Sequence, residues 1–155
     1  MAEAELDDIA DVGFHGVRSW TRIGGDYWTS KDREVGPWQP DYWAVLKAFA
    51  LALRSRGLRW LVSQGEVAPD RITFMHTLAL ALREAEGLDV VAAVDGGNEA
   101  WQTGESDPVR LREAVEAFRA VLPVPVWSLT SPPGETKTEL DDYSGSVYDV
   151  HGSRS

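Results

Sequence analysis

The sequence has no cysteine, three histidines and two methionines among its 155 residues. The first absence excludes disulfides, thiolate nucleophiles and cysteine-ligated metal, and it leaves the cellular compartment unknown. The histidines, His15, His76 and His151, are too scattered to build a metal centre, and His15 and His76 read as structural. No cofactor is expected. Long apolar runs are missing as well: stretches such as residues 48–53 fall far short of the roughly 20 residues that cross a bilayer. The opening Met1-Ala2-Glu3-Ala4-Glu5 has neither a basic start nor an apolar core, so no signal peptide is visible and a soluble chain is expected. Basic residues are the minority, 15 against 25 acidic, for a net charge of −10. That charge repels phosphate backbones and anionic lipid, so neither nucleic acid nor membrane is an expected partner.

What is present is a globular composition, 43% hydrophobic, with enough apolar surface for a single domain over residues 1–155. Runs rich in β-branched and aromatic residues mark strands at 16–23, 59–64, 89–94, 124–130 and 146–151. Helical spacing lies between most of them. Residues 41–56 place Trp43, Leu46, Phe49, Ala50 and Leu53 on one side, with Pro40 before and Gly57 after. Residues 70–86 carry Ile72, Met75, Ala79 and Leu82, with Gly87 expected as a left-handed cap. In the third helix Asp107 caps, Pro108 takes the first position, and Leu111, Val115, Phe118 and Leu122 share a face. An opening helix at 4–12 carries Leu6 and Ile9 inward. Helices alternating with strands call for an α/β fold with a parallel sheet and right-handed crossovers.

In such folds chemistry gathers where strands end and βα loops begin. The third strand ends Val94-Asp95-Gly96-Gly97-Asn98-Glu99-Ala100-Trp101, placing glycines, an amide, a carboxyl and an aromatic at one mouth. A carboxyl there suits proton donation to a glycosidic oxygen, an amide suits a sugar hydroxyl, and an indole stacks on a sugar face. The plain alternative is a polar loop capping the next helix. The long segment 24–39 holds Tyr27, Trp28 and Trp38, aromatics that are costly in water unless they pack or meet a ligand. Trp28, Trp38 and Trp101 are candidates to face a saccharide, whereas Trp43 and Trp60 read as core. Ser63, Asp149 and His151 compose a triad only on paper, since no Gly-x-Ser-x-Gly elbow accompanies them.

The pair Asn98-Glu99 follows, two crossovers on, the run Gly13-Phe14-His15-Gly16-Val17-Arg18. Together they are similar to the retaining glycoside hydrolases of clan A, the cellulase-like β/α barrels. The resemblance implies a parallel β/α barrel of glycoside hydrolase type, present in part as about five strands, the family's second to sixth. It implies Glu99 as acid/base, Asn98 as the residue touching the sugar 2-hydroxyl, and Arg18 as the arginine supporting the nucleophile. Trp101 and Trp28 would line the saccharide site, and His151 would sit on the sixth strand near it. The family's nucleophile ends a seventh strand, which this chain does not contain. A whole barrel takes roughly 250 residues. An incomplete piece leaves strand edges open, so a complementing chain or self-association is expected.

Retaining chemistry needs two carboxyls roughly 5 Å apart, and inverting chemistry roughly 6.5 to 9.5 Å. Glu66 and Asp149 are the in-chain candidates for the second, though both read more simply as loop acids or partners for Arg18. Two further readings stay open. One is a non-catalytic saccharide-binding or structural module. The other is a doubly wound domain binding a phosphorylated small molecule at Gly24-Gly25 or Gly96-Gly97, neither of which fits a Gly-x-Gly-x-x-Gly or Walker pattern.

Overall fold

The computed structural model describes residues 3–22, 35–64, 70–85, 87–97 and 107–128. Helix α1 (Glu3–Asp11) leads into strand β1 (Gly16–Trp20). Three helix-strand units follow: α2 (Tyr42–Ser55) with β2 (Arg59–Ser63), α3 (Arg71–Glu84) with β3 (Val91–Asp95), and α4 (Pro108–Arg119) with β4 (Val126–Ser128). The sheet runs in the order β1-β2-β3-β4, and each neighbouring pair is parallel. A doubly wound sheet reverses its strand order at a switch point. Here the order is sequential throughout the described strands, as in a segment of β/α barrel, which removes the phosphate-binding doubly wound reading.

Alternation along the strands separates two faces. Trp60, Val62 and Val94 point to the helices and are fully buried. They join one core with Leu46, Ala50 and Leu53 of α2, Met75, Leu78 and Leu82 of α3, and Leu111, Val115 and Phe118 of α4. Each such side chain contributes about 1.5–3 kcal/mol by leaving water. The opposite face carries Leu61, Ala93 and Val126, all half-buried, and at its carboxyl end Ser63 and Asp95 stand opposite each other in register. Apolar burial is thus concentrated on the helix-facing side, and the other face ends in a buried polar pair, Ser63 and Asp95.

Local signals explain most element ends. Asp107 Oδ1 accepts the Val109 N–H at 2.9 Å, capping α4 behind Pro108. Gly57 stops α2 with φ +67°, a conformation costly for any side chain. Two expectations shift. Gly87 has no left-handed φ; it opens a short 3-10 turn (Gly87–Asp89), and a Cβ there would lie 2.7 Å from the Leu82 carbonyl oxygen, so close approach is what needs glycine. The buried side of α3 is also rotated: Ile72 is exposed, and Phe74 and Leu78 take the inward positions beside Met75, Ala79 and Leu82. All four described strands are shorter than their apolar runs, and β3 is shifted one residue past the end of its run. The expected fifth strand at 146–151 lies outside the described residues.

Tyr42 ties the start of α2 to the end of β1, its hydroxyl donating to the Thr21 carbonyl at 2.6 Å. Burial pushes the phenol above its ordinary value of 10.0, outweighing the opposite pull of the Arg22 guanidinium. A raised value means the neutral phenol stabilises the fold fully below that ordinary value, and the contribution is lost as pH climbs above it. Tyr42→Phe leaves the Thr21 carbonyl without this donor and is expected to cost about 1–3 kcal/mol at neutral pH. Urea unfolding at neutral and strongly alkaline pH checks it: the variant should start less stable and lose less on alkalinisation.

Candidate active site

At the strand carboxyl ends, side chains from three strands converge on one carboxylate. Arg18 of β1 reaches across β2, its Nη2 donating to Asp95 Oδ2 at 2.9 Å and to Ser63 Oγ at 3.3 Å. Ser63 in turn donates to Asp95 Oδ2 at 2.7 Å. The second oxygen, Asp95 Oδ1, accepts the Gly97 N–H at 3.1 Å. Asp95 is fully buried, whereas the Arg18 side chain keeps 31% of its surface in solvent. A buried carboxylate persists only with charge-assisted donors of this kind. With donors on both oxygens it is poorly placed to attack an acetal carbon itself.

Two more buried polar groups border this cluster. Arg71, at the start of α3 and 2% exposed, donates from Nη1 to the Gly96 carbonyl at 2.8 Å. Gln64, directly after β2, is fully buried, and neither atom of its side-chain amide has a hydrogen-bond partner among the described residues. An amide left that way costs about 1–3 kcal/mol. Beside β1, the Arg22 guanidinium lies 5.6 Å from the Trp38 ring centre and 5.2 Å from that of Phe74, and its Nη1 is 2.9 Å from Asp70 Oδ1. The Trp38 ring remains half exposed above it.

Of the residues singled out in the sequence, Arg18 belongs to this convergence. Asn98, Glu99, Trp101, Trp28 and His151 lie outside the described residues, as do Glu66 and Asp149. Asn98 and Glu99 begin one residue beyond Gly97, the last described residue of the Asp95 cluster. Trp60 is core and Trp43 packs partly buried against it. His15 and His76 are exposed. Ser63 is committed to Asp95 rather than to a histidine. Among the described residues no three histidine, aspartate or glutamate side chains group as a metal site, and no helix is long and apolar enough to cross a membrane.

The sequence drew attention to Arg18 but not to its partners. The resemblance implies that Arg18 supports a nucleophile on a later strand; among the described residues it also holds the Asp95 carboxylate, 77 residues away on β3. No local pattern announces such a pairing. The register that puts Ser63 opposite Asp95 would have revealed it, and that register is a tertiary property.

The fold is that of part of a glycoside hydrolase-type β/α barrel. An exo-β-1,4-mannosidase from Opitutaceae bacterium strain TAV5 superimposes with a TM-score of 0.61 at 20% identity, over 83% of this chain and 27% of its own. A GH5_18 protein from Streptomyces cattleya, in complex with Manβ1-4GlcNAc, gives 0.64 at 21% identity, over 96% of this chain and 45% of its own. The AHE enzyme from Alicyclobacillus herbarius gives 0.53 at 13% identity, over 88% and 39%. The chain thus spans less than half the length of each of these structures. No protein-family model matches the sequence, and no curated protein matches it.

Proposed function

We propose that this chain is a glycoside hydrolase-like domain of retaining type, binding a β-linked saccharide over the strand carboxyl ends with Glu99 as general acid/base. The observation that carries the reading is the convergence of Arg18, Ser63 and Asp95 beneath Gly97, the residue directly before Asn98-Glu99. A buried, charged, hydrogen-bonded cluster therefore lies at the strand end after which that pair follows in sequence, where β/α folds carry their chemistry. Asn98 would hold the sugar 2-hydroxyl, Arg18 would support the reacting carboxyls, and Trp101, Trp28 and His151 would line the sugar. Since one structural neighbour is an exo-β-1,4-mannosidase and another holds Manβ1-4GlcNAc, a β-1,4-linked mannoside is the first substrate to offer.

Both Asp95 oxygens are occupied, so a retaining reaction needs a second carboxyl roughly 5 Å from Glu99 from elsewhere. The same occupancy favours a second reading, a module that binds saccharide without cleaving it. Methyl β-mannoside hydrolysis, whose alkoxide cannot depart unprotonated, separates the two, with Glu99→Gln as control. Turnover lost in the variant supports the acid/base role, equal turnover in both rules it out, and binding without turnover in either supports the module.

A further inference from the structure

We propose that Arg71 and Asp95 grip a single peptide group, the one joining Gly96 to Gly97, and so set the direction in which Asn98 and Glu99 leave β3. The Gly96 carbonyl oxygen and the Gly97 N–H are opposite ends of one rigid plane. Arg71 Nη1 donates to the first at 2.8 Å, and Asp95 Oδ1 accepts from the second at 3.1 Å. Two successive glycines otherwise leave the backbone with wide rotational freedom. Holding both ends of the plane between them removes that freedom where the heading of the next two residues is decided.

The placement of Arg71 is hard to explain by stability alone. Its side chain is almost wholly buried, which strips a guanidinium of water. It is also the first residue of α3, where the partial positive charge of the helix N-terminus opposes a cation. What the guanidinium supplies is a directed donor at the Gly96 carbonyl. Asp95, for its part, is anchored to β1 through Arg18 and to β2 through Ser63. The grip therefore references the strand-three mouth to two other strands and a helix. Arg71 and Asp95 are positioning residues, and the proposal rests on the reading of Glu99 as acid/base.

NMR on the full 155-residue chain tests it without turnover. In the wild type the Gly97 amide should exchange with solvent well below its intrinsic rate; exchange at the intrinsic rate overturns the grip whether or not any variant folds. In Arg71→Met, with the methyl signals of Leu78 and Leu82 as a check on the core, Gly97 exchange should quicken about tenfold. The titration midpoint of the carbon-13-labelled Glu99 carboxyl should move as well, a response that lost packing alone would not produce. Arg71→Lys, which keeps a charged donor, should restore part of both. An unmoved Glu99 midpoint and unchanged exchange in folded Arg71→Met would reject the proposal. Faster exchange alongside a Glu99→Gln variant that hydrolyses at the wild-type rate would instead leave the grip standing and remove the acid/base role.

Discussion

Glu99→Gln is expected to lower hydrolysis of an alkyl β-mannoside by about 10²- to 10⁴-fold, the usual worth of a positioned general acid or base. Glutamine matches glutamate in size but has no proton to give the departing oxygen. The loss should depend on the leaving group. A nitrophenolate departs without help, so its glycosylation step should hardly change, whereas an alkoxide cannot depart unprotonated. Comparing kcat/KM, which reports the glycosylation step alone, for nitrophenyl and methyl β-mannosides, wild type against variant, reads this directly. A uniform loss across both would point to disturbed binding rather than lost acid catalysis.

Removing Arg18 is expected to have the largest effect on stability. Arg18→Met removes a charged donor from the fully buried Asp95 carboxylate, while the Ser63 and Gly97 bonds stay. Breaking a buried pair on one side typically costs about 3–5 kcal/mol. Because Arg18 keeps 31% of its side chain in solvent, solvent screening brings the expected cost below that range, to about 2–3 kcal/mol. A cycle with Asp95→Leu isolates the pair: the double variant should be more stable than the sum of the singles by about 2 kcal/mol. Additive losses in urea unfolding would show that the two side chains do not act together.

How much of this was legible in the sequence depended on distance along the chain. Helix α4 could be read almost residue by residue, because Asp107, Pro108 and the Leu111, Val115 and Phe118 stripe are local signals. The parallel sheet followed from helix-strand alternation, whereas its sequential order was implied only by the resemblance to β/α barrels. The face of α3 was misjudged at Ile72 because that helix has apolar residues around much of its circumference, and only packing against α4 and the sheet selects the side holding Phe74 and Leu78. Gly87 was misread because a glycine after a helix signals equally a left-handed cap or a close approach, here to Leu82. Site residues divided the same way. Arg18 and Asn98-Glu99 sit in short recognisable runs, while the partnership of Arg18, Ser63 and Asp95, and the reach of Arg71 to Gly96, join segments that meet only in the folded sheet.

The central claim is that a saccharide binds over the strand carboxyl ends. Titrating Manβ1-4GlcNAc into the nitrogen-15-labelled chain tests it most directly, because it needs no turnover. The account predicts amide shifts centred on Arg18, Asp95, Gly96 and Gly97 that saturate with ligand and weaken in Asn98→Ala. Saturable shifts confined to the apolar groove beside β1 lined by Leu6, Val45, Phe49 and Ala52, or none at any ligand concentration, would contradict it.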